Sequence, residues 1–327
     1  MEKNNNIIKQ ACSEALKNIP FKQKQVIVRR FGLAGKEKET LESIGKDFNI
    51  TRERVRQIEK DAFCQIKKNI KNNKKIFNLF NNEIKKTGGL RKEESFLTAL
   101  ASQELRNETY FLLTLTDNLE RIKETKDYYS LWVLDQKVFK QAQAVIKTNY
   151  QKLKKQGKPL RIKDLDKPVS LRPEAFYCFL EISKKILNNK EGFWGLREWP
   201  EINPRTIKDK AYLVLKKIQQ PLHFNKVTSL IDSALPQTVH NELIKDSRFV
   251  LIGRGTYALR EWGYQEGVVK DVLLNILKES EKPLKKEEVL AKVLKQRMVK
   301  ENTVFLNLSN RKIFSRTPEG YYKIREA

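Results

Sequence analysis

The stretch Thr40-Leu41-Glu42-Ser43-Ile44-Gly45-Lys46-Asp47-Phe48-Asn49-Ile50-Thr51-Arg52-Glu53-Arg54-Val55-Arg56-Gln57-Ile58-Glu59 reads as two amphipathic helices joined by a tight turn. Thr40 is placed to cap the first helix, whose apolar residues Leu41, Ile44 and Phe48 share one face. Gly45 sits inside that helix, where the missing side chain permits a neighbour to approach closely. Asn49 and Ile50 form the turn. Thr51 caps the second helix, and Glu53 lies in its first turn, where the helix dipole favours an acidic group. This is helix-turn-helix spacing.

Stepping along the second helix at about 100° per residue sorts its side chains into two sets. Val55, Ile58 and Ala62 fall on one side and are expected to be buried. Glu53, Arg56, Gln57 and Lys60 fall on the opposite side, with Arg52 and Arg54 flanking. An exposed face of this composition suits base edges in a major groove. Arginine pairs with guanine, glutamine with adenine, and glutamate accepts from cytosine. Flanking cations suit phosphates.

Beyond this head the chain repeats itself. Lys158-Pro159-Leu160, Gln220-Pro221-Leu222 and Lys282-Pro283-Leu284 share one step, and the prolines are 62 positions apart each time. A second marker runs in phase. Gly192-Phe193-Trp194-Gly195-Leu196-Arg197-Glu198-Trp199 matches Gly255-Thr256-Tyr257-Ala258-Leu259-Arg260-Glu261-Trp262, and Gly320-Tyr321-Tyr322-Lys323-Ile324-Arg325-Glu326-Ala327 is the third copy. Each unit predicts a periodic helix (207–218; 268–277), the Pro-Leu turn, a short helix (224–231; 286–294) and a third helix (236–245; 302–307). It then ends in two short strands around a glycine, such as 249–252 and 256–259. Three helices and a two-stranded ribbon make a winged-helix arrangement. A worn copy lies upstream, with Gly88-Gly89 replacing the proline, Thr109-Tyr110-Phe111-Leu112 echoing Thr303-Val304-Phe305-Leu306, and Tyr128-Tyr129-Ser130-Leu131-Trp132 in the place of the wing. The fold class expected is mainly α with small β wings (α+β). The division is a head at 1–72, a degenerate unit at 73–134, and winged units at 135–202, 203–265 and 266–327.

The formal net charge is +26, with hydrophobic residues at 39% and charged residues at 32% of 327. That imbalance points to a polyanionic partner. It is spread along the chain: residues 1–72 carry 17 basic against 9 acidic side chains, and residues 267–327 carry 14 against 8. Cys12, Cys64 and Cys178 are far apart and odd in number, which suits a reducing cytoplasm. The first residues are polar, and there is no run of about 18 apolar residues, so no membrane partner is expected. His223 and His240 have no cysteine or histidine at ligand spacing, so no metal is expected. The sequence lacks paired carboxylates around a lysine and a phosphate-cradling glycine loop. No catalytic residue and no cofactor are therefore expected.

The 40–59 stretch, with Arg29-Arg30-Phe31-Gly32-Leu33 upstream, resembles region four of the primary bacterial sigma factors over about residues 15–70. The resemblance implies that the second helix enters the major groove of the upstream (−35) promoter hexamer. It implies base contacts by Arg52, Glu53 and Gln57, and phosphate contacts by Thr40, Thr51, Arg54, Arg56 and Lys60. It also implies docking on the flap of the polymerase beta subunit. Asp61, Cys64 and Gln65 depart from the basic or small residues of that family. No aromatic-rich region two is found, so a complete sigma factor is not expected. The later units, above all Pro221-Leu222-His223-Phe224, Thr238-Val239-His240-Asn241-Glu242-Leu243 and Phe249-Val250-Leu251, resemble the HARE-type helix-turn-helix, a winged-helix module shared with the polymerase delta subunit. That likeness implies contact with DNA or with polymerase. Lys208, Lys210, Arg248 and Arg254 are its candidate phosphate contacts, while Trp194, Trp199, Trp262, Tyr257, Phe249 and both histidines are expected to serve packing. The expected function is promoter-directed transcription regulation at the nucleoid, on double-stranded DNA. The alternative is an RNA polymerase accessory subunit or sigma competitor acting by protein contact.

Overall fold

The computed structural model describes residues 2–231, 234–280 and 282–325. Its contacts divide the chain between Arg197 and Glu198 into two units. The first unit begins with α1 (Glu2–Ala15), α2 (Phe21–Phe31), α3 (Leu41–Asp47) and α4 (Arg52–Ile70). It continues with α5 (Lys74–Lys86), β1 (Leu90–Lys92), α6 (Glu93–Leu100), α7 (Arg106–Thr114), β2 (Glu120–Ile122) and β3 (Leu131–Val133). It ends with α8 (Gln136–Gln156), β4 (Leu160–Arg161), α9 (Pro173–Glu181), β5 (Ile186–Asn188) and β6 (Phe193–Leu196). The second unit holds α10 (Ile207–Ile218), β7 (Leu222–His223), α11 (Phe224–Ser229), α12 (Pro236–Lys245), β8 (Phe249–Gly253) and β9 (Thr256–Leu259). After these come α13 (Val269–Glu279), α14 (Lys286–Gln296), α15 (Glu301–Leu308), β10 (Phe314–Arg316) and β11 (Tyr322–Ile324). The fold is mainly α with small antiparallel β wings, as the periodicity predicts.

The order helix, strand, helix, helix, strand, strand runs from α5 to β3 and α10 to β9, and from α8 to β6 it recurs with a 3-10 turn at Ile162–Asp164 in place of the first of the two middle helices. The sequence predicts two strands per unit; these three have three, in the orders β1-β3-β2, β4-β6-β5 and β7-β9-β8. The extra strand is the step marked by the repeat. Leu90 pairs with Val133, Leu160 with Trp194 and Leu222 with Tyr257, and Leu284 makes the corresponding single bridge to Tyr322. A strand of two or three residues carries no period for sequence to detect. The leucine joins the first helix to the wing, and the proline before it, lacking an N–H, suits the start of an edge strand. At the turn of the third hairpin, Gly255 has φ +62, and a Cβ there would lie 2.6 Å from His223 Nε2, so only glycine fits. Glu326 and Ala327 of the last marker lie outside the described residues.

The expected boundary at residue 72 falls inside a continuous core. Ile8, Ala11, Ala62, Ile66 and Ile70 from α1 and α4 belong to one buried cluster with Ile76, Phe80, Phe96, Phe111 and Trp132. The Phe31 ring lies 5.6 Å from Phe63 and 5.2 Å from Phe111. Polar ties cross the same seam: Asn107 Nδ2 donates to the Gly32 carbonyl at 2.8 Å, and the Ala34 amide donates to Glu108 Oε1 at 2.9 Å. The helix periodicity marks the apolar residues but not which neighbour covers them. In the second unit, Arg297 is only 3% exposed and donates to the carbonyls of Gln265 and Gly267, pinning the connection between its two repeats. No helix of the described residues is long and apolar enough to cross a membrane.

Phe111→Ala removes a fully buried ring from the shared core and is expected to cost about 3–5 kcal/mol. Because that core runs through α1 and α4, amide exchange should lose protection in the head and in 73–134 together. Protection lost in 73–134 alone would show that the head folds independently.

Candidate nucleic-acid interface

The geometry at α3 and α4 is set by how closely the turn packs. Thr40 Oγ1 accepts from the Ser43 amide at 3.1 Å and Thr51 Oγ1 from the Arg54 amide at 3.2 Å, so both hydroxyls cap their helices. Between them Asn49 takes φ +51, a conformation that asparagine tolerates. The Ile50 amide donates to the Gly45 carbonyl at 3.0 Å. A Cβ on Gly45 would come within 2.7 Å of the Ile50 oxygen and 3.4 Å of Val55 Cγ2. Val26, Ile44, Val55 and Ile58 form the small core beneath, with Leu41, Phe48 and Ile50 packed on it.

Polar clamps hold α3 and α4 to α2. Arg29 forms a salt bridge to Glu39 at 2.5 Å and a second one to Asp47, and its guanidinium lies 5.7 Å from the Phe48 ring centre. Arg30 donates to the Glu39 carbonyl at 3.0 Å and pairs with Glu59 at 3.6 Å. Burial pushes the Glu59 carboxyl up, against the pull of Arg30. The arginine pair 29–30 was visible in the sequence only through the resemblance; its carboxylate partners are ten or more residues away.

The other side of α4 is open. Arg52, Glu53, Arg54, Arg56, Gln57 and Lys60 are all exposed, as are Thr40 and Thr51, while Val55 is fully buried and Ile58 nearly so. Within the open face, Arg56 binds Glu53 with Nη2 at 2.6 Å, and Arg54 Nη1 donates to Gln57 Oε1 at 3.1 Å. The hydrogen bonds from Arg56 hold the Glu53 carboxyl below the usual range. Arg52 and Lys60 make no hydrogen bond or ion pair among the described residues. The face therefore combines free cations with donor–acceptor pairs whose members lie about one helical turn apart.

The four candidates of the winged units are placed differently from one another. Arg254 is exposed at the β8–β9 turn and Lys210 is exposed on α10. Lys208 lies 3.7 Å from Asp246. Arg248 departs from the expectation of a phosphate contact. Its guanidinium bonds Asp246 at 2.8 Å and Asp209 at 3.1 Å and lies 5.2 Å from the Tyr212 ring centre, tying α10 to the start of β8. Its hydrogen bonds hold the Asp246 carboxyl below the usual range. Trp194, Phe249 and Tyr257 are buried, and Trp199 and Trp262 are half-buried. His223 Nδ1 accepts from the Asn225 amide at 3.3 Å, and His240 stacks 4.5 Å from Phe224. Among the described residues no histidine, cysteine, aspartate and glutamate side chains gather into a group able to hold a metal ion.

Residues 15–68 match the family model described as Sigma-70, region 4, and form a domain of that kind. Two similar proteins are the RNA polymerase sigma factor RpoS of Coxiella burnetii (strain RSA 493 / Nine Mile phase I) and the RNA polymerase sigma factor sigB of Arabidopsis thaliana. The first is 46% identical over 52 residues, which cover 16% of this chain and 15% of that protein. The second is 39% identical over 66 residues, which cover 20% of this chain and 12% of that protein. The similarity thus spans less than a sixth of either relative, and the family match at 15–68 takes in α2 and α3 and most of α4.

Arg248→Ala should lower the melting temperature at pH 7 and leave the salt dependence of DNA binding unchanged. A depressed aspartate stabilises the fold above its unfolded value of about 4, and that stabilisation is lost as pH falls through the folded value. The stability difference between wild type and variant should therefore shrink below that pH. A smaller salt dependence with an unchanged melting temperature would return Arg248 to the list of phosphate contacts.

Proposed function

We propose that the chain is a sequence-specific DNA-binding transcription protein that reads a −35-like promoter element through α4. The observation that carries this reading is the outward set Arg52, Glu53 and Gln57 on a helix whose opposite face, Val55 and Ile58, is locked to α3 through the Gly45 contact. Those three side chains reach base edges, and Arg54, Arg56, Lys60 and the capped helix starts at Thr40 and Thr51 hold phosphates. The pairs Glu53–Arg56 and Arg54–Gln57 exchange their mutual hydrogen bonds for bonds to the DNA. The match of residues 15–68 to sigma-70 region 4 supports the same role. We read 1–72 as the promoter-reading head and 73–134, 135–202, 203–265 and 266–327 as HARE-type, delta-subunit-like winged units. They take the place of the promoter-melting parts of a complete sigma factor. The chain acts by binding, without catalysis, in the cytoplasm at the nucleoid.

Arg52→Ala or Gln57→Ala is expected to cost about 1–3 kcal/mol on the cognate duplex and to relax base preference at the contacted position. Fluorescence anisotropy with cognate and single-base-changed duplexes measures both. Unchanged affinity and unchanged preference in both variants would remove base readout.

A second reading rests on a separate observation. The third helices of the winged units in 198–327, α12 and α15, carry no arginine, and the only lysine in the two is Lys245, at the end of α12. Ile244 is 61% and Leu306 74% exposed on them. This surface suits a protein better than a polyanion, and RNA polymerase, through its beta flap or elsewhere, is the partner we infer for it. Core polymerase should retain the full chain at low salt, and Ile244→Asp with Leu306→Asp should release it. Failure of core polymerase to retain the wild-type chain would end this reading.

A further inference from the structure

We propose that the terminal hairpin, β10–β11 with the turn after α15, is a seat for backbone phosphates of double-stranded DNA. Residues 309–325 hold five basic side chains and a single carboxylate, Glu319. That carboxylate is bonded to Thr317 and to its own backbone. Arg311, Lys312, Arg316 and Arg325 are exposed and form no ion pair among the described residues. Other arginines of this part of the chain are occupied: Arg248 by two aspartates, Arg260 by Glu266, and the buried Arg297 by backbone carbonyls. Four cations without an ion pair thus sit together around one hairpin, whereas the β8–β9 hairpin holds a single one, Arg254, among the described residues.

The hairpin is also shaped for a ligand. Arg311, Ser315, Arg316, Tyr322 and Arg325 line a cavity of about 480 Å³. The Ser315 Oγ behind this lining is buried with no hydrogen-bond partner among the described residues. Arg325 donates from Nη1 to the Arg311 main-chain carbonyl at 2.9 Å, which holds its guanidinium beside the turn after α15. The nearby tyrosines offer little open face for stacking on bases: Tyr321 and Tyr322 are both half-buried, with Lys285 and Arg316 each 5.9 Å from a ring centre. Single strands are held largely by such stacking, so a duplex backbone is the better fit. In the sequence these cations, at 311, 312, 316, 323 and 325, fall in no regular pattern and resemble an ordinary solvated ribbon.

The test uses the full chain and a duplex lacking any −35-like hexamer, so that failure of base reading by α4 does not affect the outcome. Binding is followed by anisotropy across a salt series. With Arg311→Gln, Arg316→Gln and Arg325→Gln combined, the slope of log affinity against log salt should fall by roughly 2–3, since each phosphate contact contributes about 0.9. The same three positions changed to lysine should keep the wild-type slope. An unchanged slope in the glutamine variant, or a fall seen only with single-stranded RNA, would overturn the proposal. If the glutamine variant does not fold, phenylglyoxal labelling of the wild-type chain decides. Duplex should protect Arg311, Arg316 and Arg325, and equal labelling with and without duplex would overturn the proposal.

Discussion

The contact between the turn at Ile50 and the bare backbone of Gly45 governs the front of this molecule. With no Cβ at Gly45, the Ile50 oxygen can come close enough for its amide to bond the Gly45 carbonyl, and Val55 drops onto α3. Everything on α4 then follows from helical geometry. Once Val55 and Ile58 are buried, Arg52, Glu53, Arg56, Gln57 and Lys60 have nowhere to go but outward. The Arg29 bridges to Glu39 and Asp47 fix the same arrangement from the α2 side. The polar face is thus oriented by an apolar contact and a clamp, both outside the interface.

The repeats show one scaffold carrying different surfaces. In each, a leucine after the first helix pairs with the wing, whether the chain offers Gly89-Leu90 or Pro-Leu before it. That pairing is made by the backbone, which leaves the outward residues free to vary. The hairpin at 249–259 is tied inward through the neighbouring Arg248 and leaves only Arg254 exposed, whereas on and beside the one at 314–324 Arg311, Arg316 and Arg325 are all exposed. Net charge alone is therefore a poor guide to where a polyanion sits. A cation bound to two carboxylates contributes little field beyond its own neighbourhood, while an unpaired one keeps its reach up to the Debye length.

Continuity of the core changes what the head is. Ile66 and Ile70 at the far end of α4 lie in the same cluster as Phe80, Phe96 and Phe111. The helix whose first turns carry the open polar face is anchored by its last turns in the cluster that follows. Residues 1–72 and 73–134 therefore share one set of buried side chains.

The sequence by itself determined the helix-turn-helix, the two faces of α4 and the period of the winged units. All three are written in local patterns: capping threonines, apolar residues at helical spacing, and recurring Pro-Leu and Gly-aromatic steps. Its helices at 207–218 and 236–245 coincide with α10 and α12 because both are amphipathic and have clear ends. Only the tertiary structure decided that the short strands at Leu90, Leu160 and Leu222 exist, that the core does not stop at residue 72, and that Arg248 faces carboxylates 2 and 39 positions away. Pairing partners and charge compensation depend on which distant residues the fold brings together, and a pattern read along the chain carries no distance across it.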